Sequence, residues 1–149
     1  MLKAKDIMTK EVITVKPLTT IEDLARILIE YNVSGVPVVN DGGDLIGIVT
    51  ENDLISKNKR LHIPTVMRLF DAYIMLESPA AIEKEIRKMA AVTVNDILIK
   101  DVITVAEETT VEEIATIMAE KNVHLIPVVS GKKIRGIIGK MDLIKGIAR

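Results

Sequence analysis

Seven consecutive residues, Gly47-Ile48-Val49-Thr50-Glu51-Asn52-Asp53, bring together residue types that can hold a sugar phosphate where an extended run gives way to a helical one. A hydroxyl at a helix N-cap, with free backbone N–H groups and the positive end of the helix dipole behind it, suits a phosphate or another anion. Asp53, one turn further, offers two acceptor oxygens, the complement of two adjacent hydroxyl donors on a ribose. Gly47 allows a ligand to approach the backbone closely. The same Thr-x-x-Asp spacing is also an ordinary capping arrangement in which Asp53 turns back to the Thr50 N–H, and spacing alone leaves both readings open. A second copy, Gly136-Ile137-Ile138-Gly139-Lys140-Met141-Asp142, keeps the carboxylate and loses the hydroxyl. If the copies act independently, the first suits a ribose phosphate better, while Lys140 can compensate in the second by meeting a phosphate directly.

The two stretches belong to a longer internal repeat. Asp6-Ile7 to Val38-Val39 aligns without a gap onto Asp96-Ile97 to Val128-Val129, an offset of 90 (96 − 6), with 18 of 34 positions identical. After a turn one residue shorter in the second copy, Leu45-Ile46-Gly47-Ile48-Val49 returns as Ile134-Arg135-Gly136-Ile137-Ile138, and Asp53-Leu54 as Asp142-Leu143. Such a period sets the fold, because each repeat is one structural unit.

Within each copy, Val12–Val15 and Val102–Val105 are β-branched and bounded by polar residues, which predicts a strand. Thr20-Ile21-Glu22-Asp23 and Thr110-Val111-Glu112-Glu113 carry the capping-box sign of a helix start. Ile21, Leu24, Ala25 and Leu28, like Val111, Ile114, Ala115 and Met118, then follow helical spacing on one face. Asn32 and Asn122 mark helix ends, and the runs around Pro37-Val38-Val39 and Pro127-Val128-Val129 read as buried strands. Asp41–Asp44 and Ser130–Lys133 supply hairpin turns, and second helices begin near Glu51 and Lys140. Each unit is strand, helix, strand, strand, helix, too small to bury both faces of its sheet alone. Between the repeats, Val66, Met67, Phe70, Ile74 and Met75 predict an amphipathic helix, and Ala81 to Met89 a charged one with Glu83 and Arg87 spaced for an ion pair. This segment either packs on its own domain or forms a dimer contact.

Composition narrows the function. Hydrophobic residues make up 48% and charged residues 28%, enough for a sizeable core. With 20 Lys+Arg against 21 Asp+Glu the net charge is −1, so no broad positive field attracts nucleic acid. Cysteine is absent, which removes disulfides, thiolate metal sites and thiol chemistry. No stretch approaches the roughly 20 apolar residues that span a bilayer, and the expected location is cytoplasmic, away from any membrane. Asn32-Val33-Ser34 matches a glycosylation triplet that a cytoplasmic protein would not use. His-Glu-x-x-His, Gly-x-x-x-x-Gly-Lys and Gly-x-Ser-x-Gly are all missing, and His62 and His124 are the sole histidines, so no catalytic or metal site is expected. A catalytic rival would need Glu51 or Asp53 to hold magnesium beside a nucleotide phosphate.

Taken together, the Gly-x-x-Thr-x-x-Asp stretch, the Val-Pro-Val-Val strands and the Ile-Thr-Val openings fall in the order of a tandem CBS pair, the Bateman module named after cystathionine β-synthase. The whole chain resembles that family. The resemblance implies an α/β fold of two β-α-β-β-α repeats, residues 1–58 and 94–149, packed sheet to sheet with pseudo-twofold symmetry around a helical insertion at 59–93. It also implies binding of AMP, ADP, ATP or S-adenosylmethionine as a regulatory ligand, with no catalytic cofactor. Carried over by position, Asp53 holds the ribose diol and Thr50 the ribose or phosphate, with Ile48 and Pro37 beside the adenine and Gly47 among the ligand-binding residues. Asp142 does likewise in the second site, where Lys140 and Ile137 are the further ligand-binding residues. The base also touches the opening strand of the other repeat, at Ile103 for the first site and Ile13 for the second. Ser34 and His124 occupy matching positions where the family places phosphate contacts, although a lone histidine beside a strand is also a common structural residue. Gly139 departs from the usual hydroxyl. The resemblance further implies a homodimer and an effector protein that the sequence does not identify, and the rival to ligand sensing is a ligand-free interaction scaffold.

Overall fold

The computed structural model describes residues 1–60 and 92–148. The helices expected around Val66 to Met75 and Ala81 to Met89, with the Glu83–Arg87 pair, lie outside them. The described residues form a mixed α/β fold with two two-stranded sheets. Their elements are α1 (Ala4–Ile7), α2 (Ile21–Glu30), β1 (Gly35–Val39), β2 (Leu45–Thr50), α3 (Glu51–Arg60), a 3-10 turn (Val94–Asp96), α4 (Val111–Lys121), β3 (Leu125–Ser130), β4 (Lys133–Gly139) and α5 (Lys140–Ala148).

Threonine caps start the two long amphipathic helices. Thr20 and Thr110 sit in extended backbone geometry, and their hydroxyls accept from the N–H of Asp23 at 3.1 Å and of Glu113 at 3.2 Å. These bonds satisfy donors that a helix leaves open in its first turn. The expected stripes face inward, with Leu24 and Leu28 buried on α2 and Val111, Ile114 and Met118 on α4. Asn32 and Asn122 then reverse the chain with φ of 51° and 53°, the left-handed conformation that asparagine tolerates better than most residues. Gly43 and Gly131 supply the positive φ of the two hairpin turns, at 83° and 64°. In the second hairpin Leu125 faces Gly139 and Ser130 faces Lys133, and a register shift after Val128 leaves Arg135 as the extra residue of a bulge.

The openings Val12–Val15 and Val102–Val105 are not strands, contrary to the sequence reading. Each has a bridge residue only at its end, Val15 and Val105; Val105 pairs in parallel with Val128 through Val105 N–H to Pro127 O at 3.1 Å and Val129 N–H to Val105 O at 2.9 Å. A side-chain turn ends each of them immediately. The Thr19 and Thr109 hydroxyls accept from the N–H of Lys16 at 3.1 Å and of Ala106 at 3.0 Å, and bend the chain away before a ladder can grow.

The described residues fall into two compact units that cut across the repeats: 1–14, 37–47 and 100–148 form one, and 15–36, 48–60 and 92–99 the other. In the first, the N-terminal leader docks on the second repeat. Ala4 and Lys5 N–H donate to Thr109 O (2.7 Å) and Glu107 O (3.1 Å), and Val111 N–H donates to Leu2 O (3.0 Å). Ala4 and Ile7 join Val105, Val111, Ile114, Met118, Ile126, Val128 and Ile138 in one buried cluster. The fit depends on two glycines: a Cβ at Gly136 would collide with the Met8 side chain, and one at Gly146 would lie 2.8 Å from Ile7 Cγ2. In the other unit the segment ahead of the second repeat docks on the first in the matching way. Val94 N–H donates to Thr19 O (2.8 Å), Asn95 N–H to Pro17 O (2.9 Å) and Ile21 N–H to Val92 O (3.2 Å). Val94 and Ile97 are each buried, as are Val15, Leu24, Leu28, Val36, Ile48 and Val49 of the same unit.

Charge pins the N-terminal leader as well. Lys3 and Lys5 both donate to the Glu108 carboxylate, the second at 2.7 Å. The hydrogen bond from Lys3, then that from Lys5, holds Glu108 well below its ordinary value of 4.5, at about 2. A depressed carboxyl contributes stability above its unfolded pKa and loses that contribution as pH falls through the folded value. Leader protection, measured by amide exchange at Ala4 and Lys5, is therefore expected to fall between pH 4.5 and about 2 in the wild type and to be lower and flatter with pH in Glu108→Gln. Identical pH profiles for the two proteins would show that these exposed pairs contribute nothing, as many surface pairs do.

Candidate functional site

Both Gly-x-x-x-x-x-Asp stretches form a strand that ends directly in a helix, β2 into α3 and β4 into α5. A carboxylate turns back over each junction. In the first copy the Asp53 Oδ2 accepts from the Thr50 N–H at 2.9 Å and from the Thr50 hydroxyl at 3.0 Å. In the second the Asp142 Oδ2 accepts from the Gly139 N–H at 2.8 Å. Capping of the junction is therefore real in both copies. It also fixes the orientation of two half-buried carboxylates, and at Asp53 it leaves Oδ1 with no hydrogen bond among the described residues.

The remaining predicted residues divide between the two compact units. Thr50, Asp53, Ile48 and Ser34 share one. There the Ser34 carbonyl accepts from the N–H of Glu51, the first residue of α3, at 2.7 Å, which ties the entry of β1 to the start of that helix. Ile48 is buried and pairs with Ile99 through N–H···O bonds of 2.9 and 2.8 Å. Asp142, Lys140, Ile137, Ile13 and His124 share the other unit, with Gly47, Pro37 and Ile103. Lys140 and His124 are exposed, Ile137 and Ile13 are half-buried, and Pro37 is fully buried. Among the described residues no group of histidines and carboxylates is arranged to hold a metal ion.

Two residues that the sequence reading passed over stand beside the junctions. Thr9 pairs with Ile137 through N–H···O bonds of 2.8 and 2.9 Å, and its hydroxyl donates to the Asp142 Oδ1 at 3.2 Å. Ile99 holds the matching place on Ile48, where it has no hydroxyl to give. The gapless offset of 90 already aligned Thr9 with Ile99, and that alignment was the available signal.

Comparison with known proteins decides the family. The profile of the CBS domain matches residues 4–59 and again 94–149. The chain belongs to the CBS domain family. Among relatives in sequence, the uncharacterized protein MJ1426 of Methanocaldococcus jannaschii is 51% identical over 53 residues, 36% of this chain and 32% of that protein, so the match spans about a third of that relative's length. Among solved structures, CBSX2 in complex with AMP superposes with a TM-score of 0.75 at 24% identity and covers 99% of this chain and 97% of its own. The CBS domain pair of MJ0100, solved with 5′-methylthioadenosine and S-adenosylmethionine, superposes with a TM-score of 0.70 at 25% identity over 98% of this chain and 99% of its own. The fold of a CBS pair is thus shared across the whole chain.

The two caps of this CBS pair differ by one hydroxyl, which can be exchanged. Thr50→Val removes the donor to Asp53 and is expected to cost about 1 kcal/mol, read as a fall in melting temperature. Gly139 does not have positive φ, and the atoms nearest a Cβ there, Asp142 Oδ2, Leu125 Cδ1 and the His124 carbonyl, would lie at 3.8 to 3.9 Å, ordinary van der Waals contact. Gly139→Ser should therefore raise the melting temperature by restoring the cap and restricting the unfolded chain. A lower melting temperature for Gly139→Ser would show that something other than the cap requires this glycine.

Proposed function

We propose that this chain is a regulatory module that binds an adenosyl compound, either an adenine nucleotide (AMP, ADP or ATP) or S-adenosylmethionine, and signals its presence to a separate protein. The observation that carries this reading is the pair of carboxylates, Asp53 and Asp142, each fixed over a strand–helix junction by a backbone N–H at 2.9 and 2.8 Å. In a CBS pair whose solved relatives hold AMP, or methylthioadenosine and S-adenosylmethionine, ribose recognition is the natural use of such carboxylates. In this reading Asp53 and Asp142 accept from the ribose hydroxyls and Thr50 adds a donor to the ribose or phosphate. Ile48 and Pro37 in the first site, and Ile137 in the second, lie by the base, joined by Ile103 and Ile13, and Gly47 lets the ligand approach the backbone closely. Lys140, His124 and Ser34 meet phosphate. The module has no catalytic role, acts in the cytoplasm as a homodimer, and passes ligand occupancy on through surfaces that differ between bound and free states.

One observation favours a second reading, a ligand-free interaction scaffold: α5 leaves Met141, Ile144 and Ile147 between 52 and 69% exposed. Ligand binding separates the two. Calorimetric titration of nucleotide-stripped protein with AMP, ATP and S-adenosylmethionine is expected to give saturable micromolar binding with at least one of them, and a raised melting temperature, since a ligand selective for the folded state must stabilise it. Asp53→Ala should abolish or weaken one site while the protein stays folded. No heat and no thermal shift with any of the three would leave the scaffold as the better account. Light scattering that gives a monomer at high concentration would remove the homodimer.

A further inference from the structure

The loss of the N-cap hydroxyl at Gly139 marks the second copy as the drifted one by sequence, yet the hydrogen bonds to the two carboxylates point the other way. An ionised carboxylate has about four acceptor positions, two on each oxygen. At Asp53 both internal donors, the Thr50 N–H and hydroxyl, fall on Oδ2, so one oxygen is saturated and Oδ1 accepts nothing among the described residues. At Asp142 the donors are shared out, with the Gly139 N–H on Oδ2 at 2.8 Å and the Thr9 hydroxyl on Oδ1 at 3.2 Å. Each Asp142 oxygen therefore keeps one acceptor position. A vicinal diol presents two O–H donors side by side, and its natural complement is a carboxylate edge with one place open on each oxygen. At Asp53 the same diol must crowd onto Oδ1 or displace the Thr50 hydroxyl.

Resting on the reading of these carboxylates as ribose-binding groups, we infer that the second site is the one prepared to grip an intact ribose 2′,3′-diol, and that Thr9 is the positioning residue that prepares it. Thr9 is held for this task. Its backbone bonds to Ile137 on both sides, and the Met8 side chain beside it lies over Gly136 with no room for a Cβ. Its hydroxyl thereby restrains the plane of the Asp142 carboxylate. In the first copy Ile99 occupies the same backbone position on Ile48, so no such restraint acts on Asp53. Gly139 fits this arrangement, because a hydroxyl there would compete for Oδ2 as Thr50 does in the first copy.

The test uses AMP and 2′-deoxy-AMP in calorimetric titrations of the wild type, Thr9→Val, Thr9→Ser and Asp142→Asn. The wild type should discriminate against 2′-deoxy-AMP most strongly at the site that Asp142→Asn removes. Thr9→Val, nearly isosteric and at an exposed position, should weaken AMP at that site by about tenfold and leave 2′-deoxy-AMP nearly unchanged. Thr9→Ser, which restores the hydroxyl, should recover the preference. The inference fails if Thr9→Val discriminates as the wild type does, if Thr9→Ser behaves like Thr9→Val, or if the stronger discrimination belongs to the Asp53 site. Any of these with AMP still bound leaves the adenosyl-sensor reading standing; a wild type that binds no AMP overturns the inference, and one that binds none of AMP, ATP and S-adenosylmethionine overturns both.

Discussion

Everything at the candidate sites depends on the docking of each repeat's leader on the other repeat. The backbone pairs Ile48–Ile99 and Thr9–Ile137 are short, reciprocal and alike in both units, with N···O distances between 2.8 and 2.9 Å. A two-stranded hairpin is marginal by itself. Here the outer edge of β2, and of β4, receives a further pair of backbone bonds at the place where the strand hands over to its helix, so the junction is fixed from both sides. The price is paid in side-chain volume at the contact, which explains the glycine at Gly136: the close approach of Met8 excludes even a methyl group. Docking that relied on apolar burial alone would leave the register of the leader free to slip. Backbone bonds at Ala4, Lys5 and Thr9, together with the Lys3 and Lys5 pairs to Glu108, fix that register.

This arrangement also explains why internal repetition does not produce identical sites. Each junction is built from two segments that are distant in sequence, so it can diverge at either one. At the first junction the hydroxyl comes from the strand end itself, Thr50; at the second it comes from the leader, Thr9. The total of donors near each carboxylate is preserved while their distribution over its two oxygens is not. Because hydrogen bonds to an ionised group are stronger than those between neutral partners, a change of oxygen matters to any polar ligand even when the donor count does not change.

Much of this was legible in the sequence. The offset of 90, the threonine caps, the asparagine reversals and the glycine turns each follow from local chemistry that needs no tertiary information, and the structure has all of them. The openings were misread because Val-Ile-Thr-Val has strand propensity, whereas the competing signal, a threonine hydroxyl that closes a turn onto Lys16 or Ala106, lies four residues beyond and is weak by itself. The leader helix at Ala4–Ile7 escaped because four residues are too few to show a period. The exchange of leaders could not be read at all, since it is a long-range choice between two similar docking surfaces.

The candidate residues show the same division. Thr50, Asp53 and Asp142 were found from spacing, because their partners lie within three residues in the chain. Thr9 lies 133 residues from the carboxylate it meets, and no local pattern connects them. Its significance appears only when the repeat is used as a control on itself: one aligned position holds a hydroxyl in one copy and an isoleucine in the other, on an otherwise matching backbone. Paired repeats supply that comparison within a single molecule. Here it locates the divergence of the two sites in the segment that crosses from one repeat to the other, and not only in the motif that first drew attention to them.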